Sequence, residues 1–106
     1  MASVQINKDN FQKEVVESEL LVIMDFWAAW CGPCMMLKPV LEKVADDLEG
    51  KVILAQVNVD VHQERAREHN VSAIPDIKLF KDGKVVGEFI GSRPEASVKE
   101  WLKKYI

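Results

Sequence analysis

The feature that most constrains the fold is a continuous apolar stretch that runs directly into a long amphipathic pattern. Residues 20–27 read Leu-Leu-Val-Ile-Met-Asp-Phe-Trp, which is typical of a strand buried on both faces of a mostly parallel sheet. The helical spacing that follows is carried by Leu37, Leu41, Val44 and Leu48. Pro39 lies inside this pattern and is expected to kink the helix rather than end it, because the periodicity continues beyond it. We expect the helix to stop near Gly50.

The rest of the chain continues this alternation of strands and helices. Strands are predicted at Val4–Ile6, 51–60, 76–80 and 84–91, and helices at Asp9–Glu17, 63–70 and 94–106. Asp82-Gly83 predicts a hairpin between the last two strands. The order βαβαβαββα predicts an α/β fold with a central mixed, mostly parallel sheet and helices on both faces. In that sheet only the last hairpin need be antiparallel, and residues 1–106 are expected to form a single domain.

Composition excludes several classes of protein. Apolar residues make up 48% of the chain and charged residues 29%, so the chain should fold rather than stay disordered. The net charge is −3 and the Lys and Arg residues are scattered, which argues against nucleic-acid binding. The first residues lack the apolar core of a secretion signal, and the run Leu20–Met24 is too short to cross a bilayer. We therefore expect a cytoplasmic monomer that does not associate with membranes.

Both cysteines of the chain lie in Cys31-Gly32-Pro33-Cys34, where the buried strand passes into the long helix. Three residues apart, their side chains lie on one side of a first helical turn, close enough to bond. The unpaired N–H groups and positive dipole end of a helix favour a thiolate over a thiol. Pro33 fits because its missing N–H would be unpaired anyway, and Gly32 leaves room for a partner disulfide to approach.

Three uses of this pair compete. A structural disulfide closing so short a loop contributes only about 2 kcal/mol. A zinc site needs two more ligands, and the only histidines, His62 and His69, are separated by six residues instead of the usual three to five. Both histidines are expected to face solvent around a short helix. A redox pair is favoured, because paired cysteines in a reducing compartment are more often catalytic or metal-binding than structural.

The chain resembles the thioredoxin family in a series of motifs that occur in that family's order and spacing. These are Asp-Phe-Trp-Ala-Ala-Trp-Cys-Gly-Pro-Cys at 25–34, Lys-Pro at 38–39, Asn-Val-Asp at 58–60, Ala-Ile-Pro at 73–75, Leu-Phe-Lys-Asp-Gly-Lys at 79–84 and Gly-Glu-Phe-Ile-Gly at 87–91. The match covers essentially the whole chain. The central Gly-Pro is specific, because glutaredoxins and the oxidising or isomerising relatives typically carry other dipeptides. The resemblance implies the thioredoxin fold and a protein disulfide reductase.

The resemblance also implies a role for each cysteine. Cys31 would be the exposed attacking thiolate and would form a mixed disulfide with the substrate protein. Cys34 would be the buried thiol that resolves it by attacking the Cys31 sulfur. The partners would be disulfide-containing proteins and a flavoprotein thioredoxin reductase that uses NADPH, so the domain itself would need no cofactor and no metal.

Residues around the pair gain roles in the same way. A carboxylate within an apolar strand is costly when ionised, so burial should raise the pKa of Asp25. The matching acid of the family assists deprotonation of the second cysteine; the alternative is a core acid held by hydrogen bonds. The bond before Pro75 would be cis, as in the family. Trp30, Ile74 and Gly91 would line an apolar docking groove, with Trp27 packed beneath it.

Three residues depart from the family pattern. Met35 stands where thioredoxins more often have Lys or Arg, Gln56 where they often have Lys, and Asp76 where they usually have Thr. Together with Gly32 and Pro33, these residues are expected to tune the redox couple. Less positive charge stabilises the Cys31 thiolate less, so the couple should be more reducing. Alternatively, Asp76 pairs with Lys78 on the same strand face or alters partner choice.

Two other functions remain open at this point. The first is a thiol oxidant or isomerase of the same fold, which a measured dithiol potential would distinguish from a reductase. The second is a non-catalytic binding module that uses the surface around Trp30 and Ile74. Function surviving replacement of both cysteines would favour the binding module.

Overall fold

The computed structural model describes residues 3–106, and Met1 and Ala2, the first residues of the predicted domain, lie outside the described part. Its strands are β1 (Ser3–Gln5), β2 (Leu21–Trp27), β3 (Val52–Asn58), β4 (Asp76–Lys81) and β5 (Lys84–Ile90). Its α-helices are α1 (Gly32–Asp47), α2 (Gln63–Glu68) and α3 (Glu95–Leu102). A π-helical turn over Gln12–Val16 occupies the place of the predicted first helix. The predicted α/β class and element order are confirmed.

The five strands form one mixed sheet in the order β1-β3-β2-β4-β5. Strand β3 is parallel to both of its neighbours, whereas β4 is antiparallel to both β2 and β5. The expectation that only the last hairpin need be antiparallel is therefore wrong. The connection from β3 to β4, residues 59–75, returns to the sheet at the edge where β2 and β3 end, since Asp76 at the start of β4 pairs with Phe26 near the end of β2. Strand β4 therefore runs in the opposite direction to β2.

The side chains of β2 point alternately into two cores, one on each face of the sheet. The core between the sheet and helices α1 and α3 contains Leu21, Ile23, Leu37, Leu41, Val44, Leu54, Ile77, Leu79, Val98 and Leu102. The core on the other face, under the π-helical turn and α2, contains Ile6, Val15, Val22, Met24, Phe26, Val57, Ala66 and Phe80. Helix α1 continues through Pro39, as its periodicity predicts. The hairpin at Asp82-Gly83 is also confirmed, with φ of 52° and 80° at its two central residues.

The two histidines differ from the sequence prediction, because both are half-buried rather than solvent-facing. The ring of His69 lies 5.6 Å, between centroids, from the rings of Phe11, Phe26 and Phe80. The end of α2 carries it onto the sheet, where its Nδ1 lies 3.0 Å from the carbonyl oxygen of Arg65. The ring of His69 therefore packs on the sheet face that α2 covers.

Candidate active site

The centre of the site is a disulfide between Cys31 and Cys34, whose Cα atoms are 5.2 Å apart. Cys31 is the N-cap of α1, and the backbone N–H of Cys34 donates to Cys31 Sγ at 3.2 Å. Gly32 and Pro33 are the first two helical residues, so the predicted placement of the pair is confirmed. A backbone N–H and a helix N-terminus in this position favour negative charge on a sulfur.

Cys31 is less accessible than the resemblance implied. Cys34 is 1% exposed, as expected, but Cys31 is only 5% exposed, so the expectation of an exposed Cys31 is wrong for this disulfide form. The two cysteines pack with Ala28 against Trp27 and Ile74, and Cys31 Sγ lies 3.8 Å from the Ile74 carbonyl oxygen. The open surface beside the bond is provided by Gly32 and Pro33, which are both exposed.

The predicted docking residues come from loops that meet at the disulfide. The Ile74-Pro75 bond is cis, as predicted. The Pro75 carbonyl accepts a hydrogen bond from the Gly91 N–H at 2.9 Å. Gly91 has a φ of 94°, a conformation that glycine adopts at little cost. These contacts bring Ile74, Pro75 and Gly91 together next to Cys31.

Trp30 lies on the other side of this loop and is 71% exposed. Its indole Nε1 donates to Asp60 Oδ2 at 2.9 Å, which fixes the exposed ring. Trp30 and Ile74 line a groove of about 360 Å³, together with Val59, Ala66, Val71, Ser72 and Ala73. The disulfide therefore stands beside an apolar groove, and Trp27 is half-buried in the cluster that packs on the cysteines.

Asp25 lies in the sheet on the face that α1 covers. It is opposite Gln56 in β3 and Ile77 in β4, and it is 1% exposed. Among residues 3–106 its Oδ1 has no hydrogen-bond partner, which counts against a core acid held by hydrogen bonds. Burial raises the pKa of Asp25 from 3.8 to about 7; Lys38 opposes this rise, and Glu42 adds to it. The predicted upward shift is confirmed.

The three departures from the family pattern occupy different surroundings. Met35 is exposed on the first turn of α1, whereas Gln56 is buried opposite Asp25 and its Oε1 accepts from Gln5 Nε2. Asp76 lies on the other sheet face from Asp25, and its Oδ1 is 3.1 Å from Lys78 Nζ. Burial raises the pKa of Asp76, and the Lys78 ammonium opposes this rise. The predicted pairing of Asp76 with Lys78 is confirmed.

Sequence reasoning missed two polar groups of the site. Lys38 faces Asp25 and holds its ammonium 4.6 Å from the centroid of the Trp27 ring. Lys38 could have been found from the sequence, because it follows Cys34 by four residues and this spacing puts both on one helix face. Asp60 anchors Trp30 from the loop after β3, but nothing local to residues 58–60 indicates that contact. Lys38 is therefore a positive charge that acts on Asp25.

The described residues contain neither a metal-binding cluster nor a membrane-spanning helix. No three His, Cys, Asp or Glu side chains of residues 3–106 are grouped so that they could hold a metal ion. No helix in that part of the chain combines the length and the apolar character that crossing a bilayer requires.

Comparison with known proteins identifies the family. The thioredoxin family model matches residues 2–104. Thioredoxin of Chlorobaculum thiosulfatiphilum is 44% identical over 97 residues, which cover 92% of this chain and 90% of that protein. Thioredoxin of Rickettsia conorii is 41% identical over 97 residues (92% of each chain), and thioredoxin 1 of Nostoc sp. is 35% identical over 105 residues (99% and 98%). The chain therefore belongs to the thioredoxin family, as a protein disulfide oxidoreductase with the redox pair Cys31–Cys34.

Proposed function

We propose that Cys31 is the attacking sulfur, Cys34 the resolving sulfur and Asp25 the group that accepts the Cys34 proton. The observation that carries this assignment is the asymmetry of the disulfide. Cys31 caps α1 and touches the Ile74 carbonyl, whereas Cys34 lies inside the protein on the sheet face that also holds Asp25. An incoming disulfide therefore reaches Cys31 first.

The proposed reaction passes two electrons to the substrate. The Cys31 thiolate attacks one sulfur of the substrate disulfide, which forms a mixed disulfide and releases the first substrate thiolate. Cys34 then gives its proton to the Asp25 carboxylate and attacks Cys31 Sγ. This step forms the Cys31–Cys34 disulfide and releases the second substrate thiolate. A carboxyl with a pKa of about 7 suits this task, because it accepts and returns a proton near neutral pH.

The substrate chain is proposed to lie along the loop at Ile74 and Pro75, with its apolar side chains against Trp30. The exposed ring of Trp30 and the 360 Å³ groove beside Ile74 support this assignment. Gly91 supports the loop from behind through its bond to the Pro75 carbonyl. Gly32 and Pro33 are small residues, so they leave room for a polypeptide to approach the disulfide.

The partners follow from the direction of electron flow. The substrates are disulfide-containing proteins, and a thioredoxin reductase that draws on NADPH returns the Cys31–Cys34 disulfide to the dithiol. The chain uses no prosthetic group, since its two sulfurs carry both electrons. We place it in the cytoplasm, where a reducing poise suits a disulfide reductase.

The dithiol–disulfide potential tests the direction of the proposed function. We expect a value at or below about −270 mV, the value usual for thioredoxins, because Met35 and Gln56 remove positive charge near the pair. Equilibration with glutathione or dithiothreitol buffers, followed by Trp fluorescence, measures it. A potential between about −180 and −120 mV would indicate an isomerase or oxidant instead. Activity that survives replacement of both cysteines by serine would indicate a binding module.

A further inference from the structure

A chain of three charged side chains runs across β4 and β5 on the sheet face opposite Asp25. Lys78 Nζ lies 3.1 Å from Asp76 Oδ1 and 2.9 Å from Glu88 Oε1. Lys78 is 5% exposed and Asp76 is 1% exposed, whereas the Glu88 side chain is largely in solvent. The ammonium is therefore buried in a strand that has neighbours on both sides.

Stability alone is a weak reason for this arrangement. Taking an ammonium and a carboxylate out of water costs several kcal/mol per ion, and apolar residues of similar size often replace such pairs with no loss of stability. Burial raises the pKa of Asp76, and the hydrogen bond and charge of Lys78 oppose this rise; hydrogen bonds to Glu88 and Asp76 raise the pKa of Lys78 against the effect of its burial. In some proteins a buried pair of this kind instead specifies one local arrangement of the chain.

The network joins the two segments that form the edge next to the disulfide. Asp76 directly follows Pro75. Glu88 lies on β5, three residues before Gly91, which follows the end of that strand. The β4–β5 pairing ends at Asp76 and Ile90, and beyond it the Pro75 carbonyl accepts from the Gly91 N–H. Lys78 reaches back along β4 to Asp76 and across to Glu88, so one ammonium holds both strand ends.

We propose that Lys78 is a positioning residue for protein substrates. Through Asp76 and Glu88 it fixes the Ile74-Pro75 loop relative to Gly91, and so sets where the Ile74 backbone meets a substrate chain beside Cys31. The inference rests on the proposed docking of substrate at Ile74. A small disulfide needs contact only with Cys31, so the network acts on polypeptide substrates and leaves small disulfides unaffected.

The test compares two substrates on one variant. In reduced Lys78→Met, we expect the rate constant for insulin disulfide reduction to fall about ten-fold. The rate constant for 5,5′-dithiobis(2-nitrobenzoic acid) should change less than about two-fold, and the dithiol potential should not change. Lys99→Met is the matched control, because Lys99 also bridges two carboxylates, Asp47 and Glu95, but on α1 and α3. It should leave both rate constants at the wild-type value.

Lys78→Met leaves the buried Asp76 carboxylate without its partner, and the variant could unfold for that reason alone. A second variant makes the test independent of this effect. Asp76→Asn combined with Lys78→Met removes both buried charges, and we expect it to fold and to show the same selective loss with insulin. Wild-type insulin reduction by this double variant, or an equal loss with both substrates, would overturn the positioning role. Failure of the wild-type protein to reduce insulin would overturn the proposed function, and this inference with it.

Discussion

Cys31→Ser is expected to slow insulin disulfide reduction by at least about a thousand-fold. The attacking group must be a thiolate, and a serine hydroxyl at the N-cap of α1 is neither ionised at neutral pH nor able to form the mixed disulfide. The fall is therefore the loss of the first chemical step rather than a change in binding. Insulin turbidity at pH 7, with dithiothreitol as the electron source, measures it.

Cys34→Ser is the matched control for this experiment. Both variants lose the same short disulfide loop, worth about 2 kcal/mol, so that loss does not distinguish them. Cys34→Ser should still attack a substrate disulfide once, and then stall until dithiothreitol releases the mixed disulfide, because the variant has no resolving thiol of its own. If Cys31→Ser turned over at a rate similar to that of the wild-type protein, Cys31 would not be the attacking sulfur.

Asp25→Ala is expected to stabilise the oxidised protein at pH 8 and to do so much less at pH 4. The folded pKa of Asp25 is about 7 and its ordinary value is 3.8. Folding therefore takes up a proton between these values, and wild-type stability falls as pH rises from 4 to 7. Three pKa units correspond to about 4 kcal/mol, which is the cost of the buried carboxylate above pH 7. Removing the carboxyl removes that cost.

Asp25→Asn separates the charge effect from the packing effect. A cavity in Asp25→Ala, or an unpaired amide in Asp25→Asn, shifts the stability of each variant by an amount that does not vary with pH. Both variants should therefore show the same flattened dependence, with different offsets. Guanidinium denaturation at pH 4, 5, 6, 7 and 8 gives the free energies of unfolding. Variants with the steep pH dependence of the wild-type protein would show that Asp25 does not carry the shift.

The same substitutions test the proposed proton acceptor. With no carboxylate near Cys34, the resolving step should slow about ten-fold at pH 7 and recover as pH rises, because hydroxide then removes the proton. The step is measured as release of the second substrate thiolate from a preformed mixed disulfide. An unchanged rate at pH 7 would leave Asp25 as a costly core acid with no part in the chemistry.

The parts of the fold set by local pattern could be predicted from the sequence. The buried strand β2, the continuation of α1 through Pro39 and the hairpin at Asp82-Gly83 all follow from periodicity or turn chemistry. The placement of Cys31 and Cys34 at a helix start follows in the same way. The direction of β4 does not, because it depends on where the connection of residues 59–75 returns to the sheet.

The charged groups around the site could be predicted only in part. Burial of Asp25 is implied by its apolar neighbours in β2, and the pairing of Asp76 with Lys78 follows from period two. The contact of Glu88 with Lys78 depends on the register of β4 against β5, and the place of His69 among three phenylalanines depends on packing. The limited access to Cys31 also depends on tertiary contact, since Ile74 covers it from 43 residues away.

The most direct test of the central claim is the identity of the cysteine in a trapped mixed disulfide. Cys34→Ser, reduced and mixed with a protein disulfide substrate, should accumulate a covalent complex that mass spectrometry locates at Cys31 and that excess dithiothreitol releases. Cys31→Ser under the same conditions should accumulate little or none, since Cys34 is even less exposed than Cys31 and does not occupy the N-cap position of α1 that favours a thiolate. Trapping at Cys34 in the Cys31→Ser protein, or no complex from folded Cys34→Ser, would contradict the account.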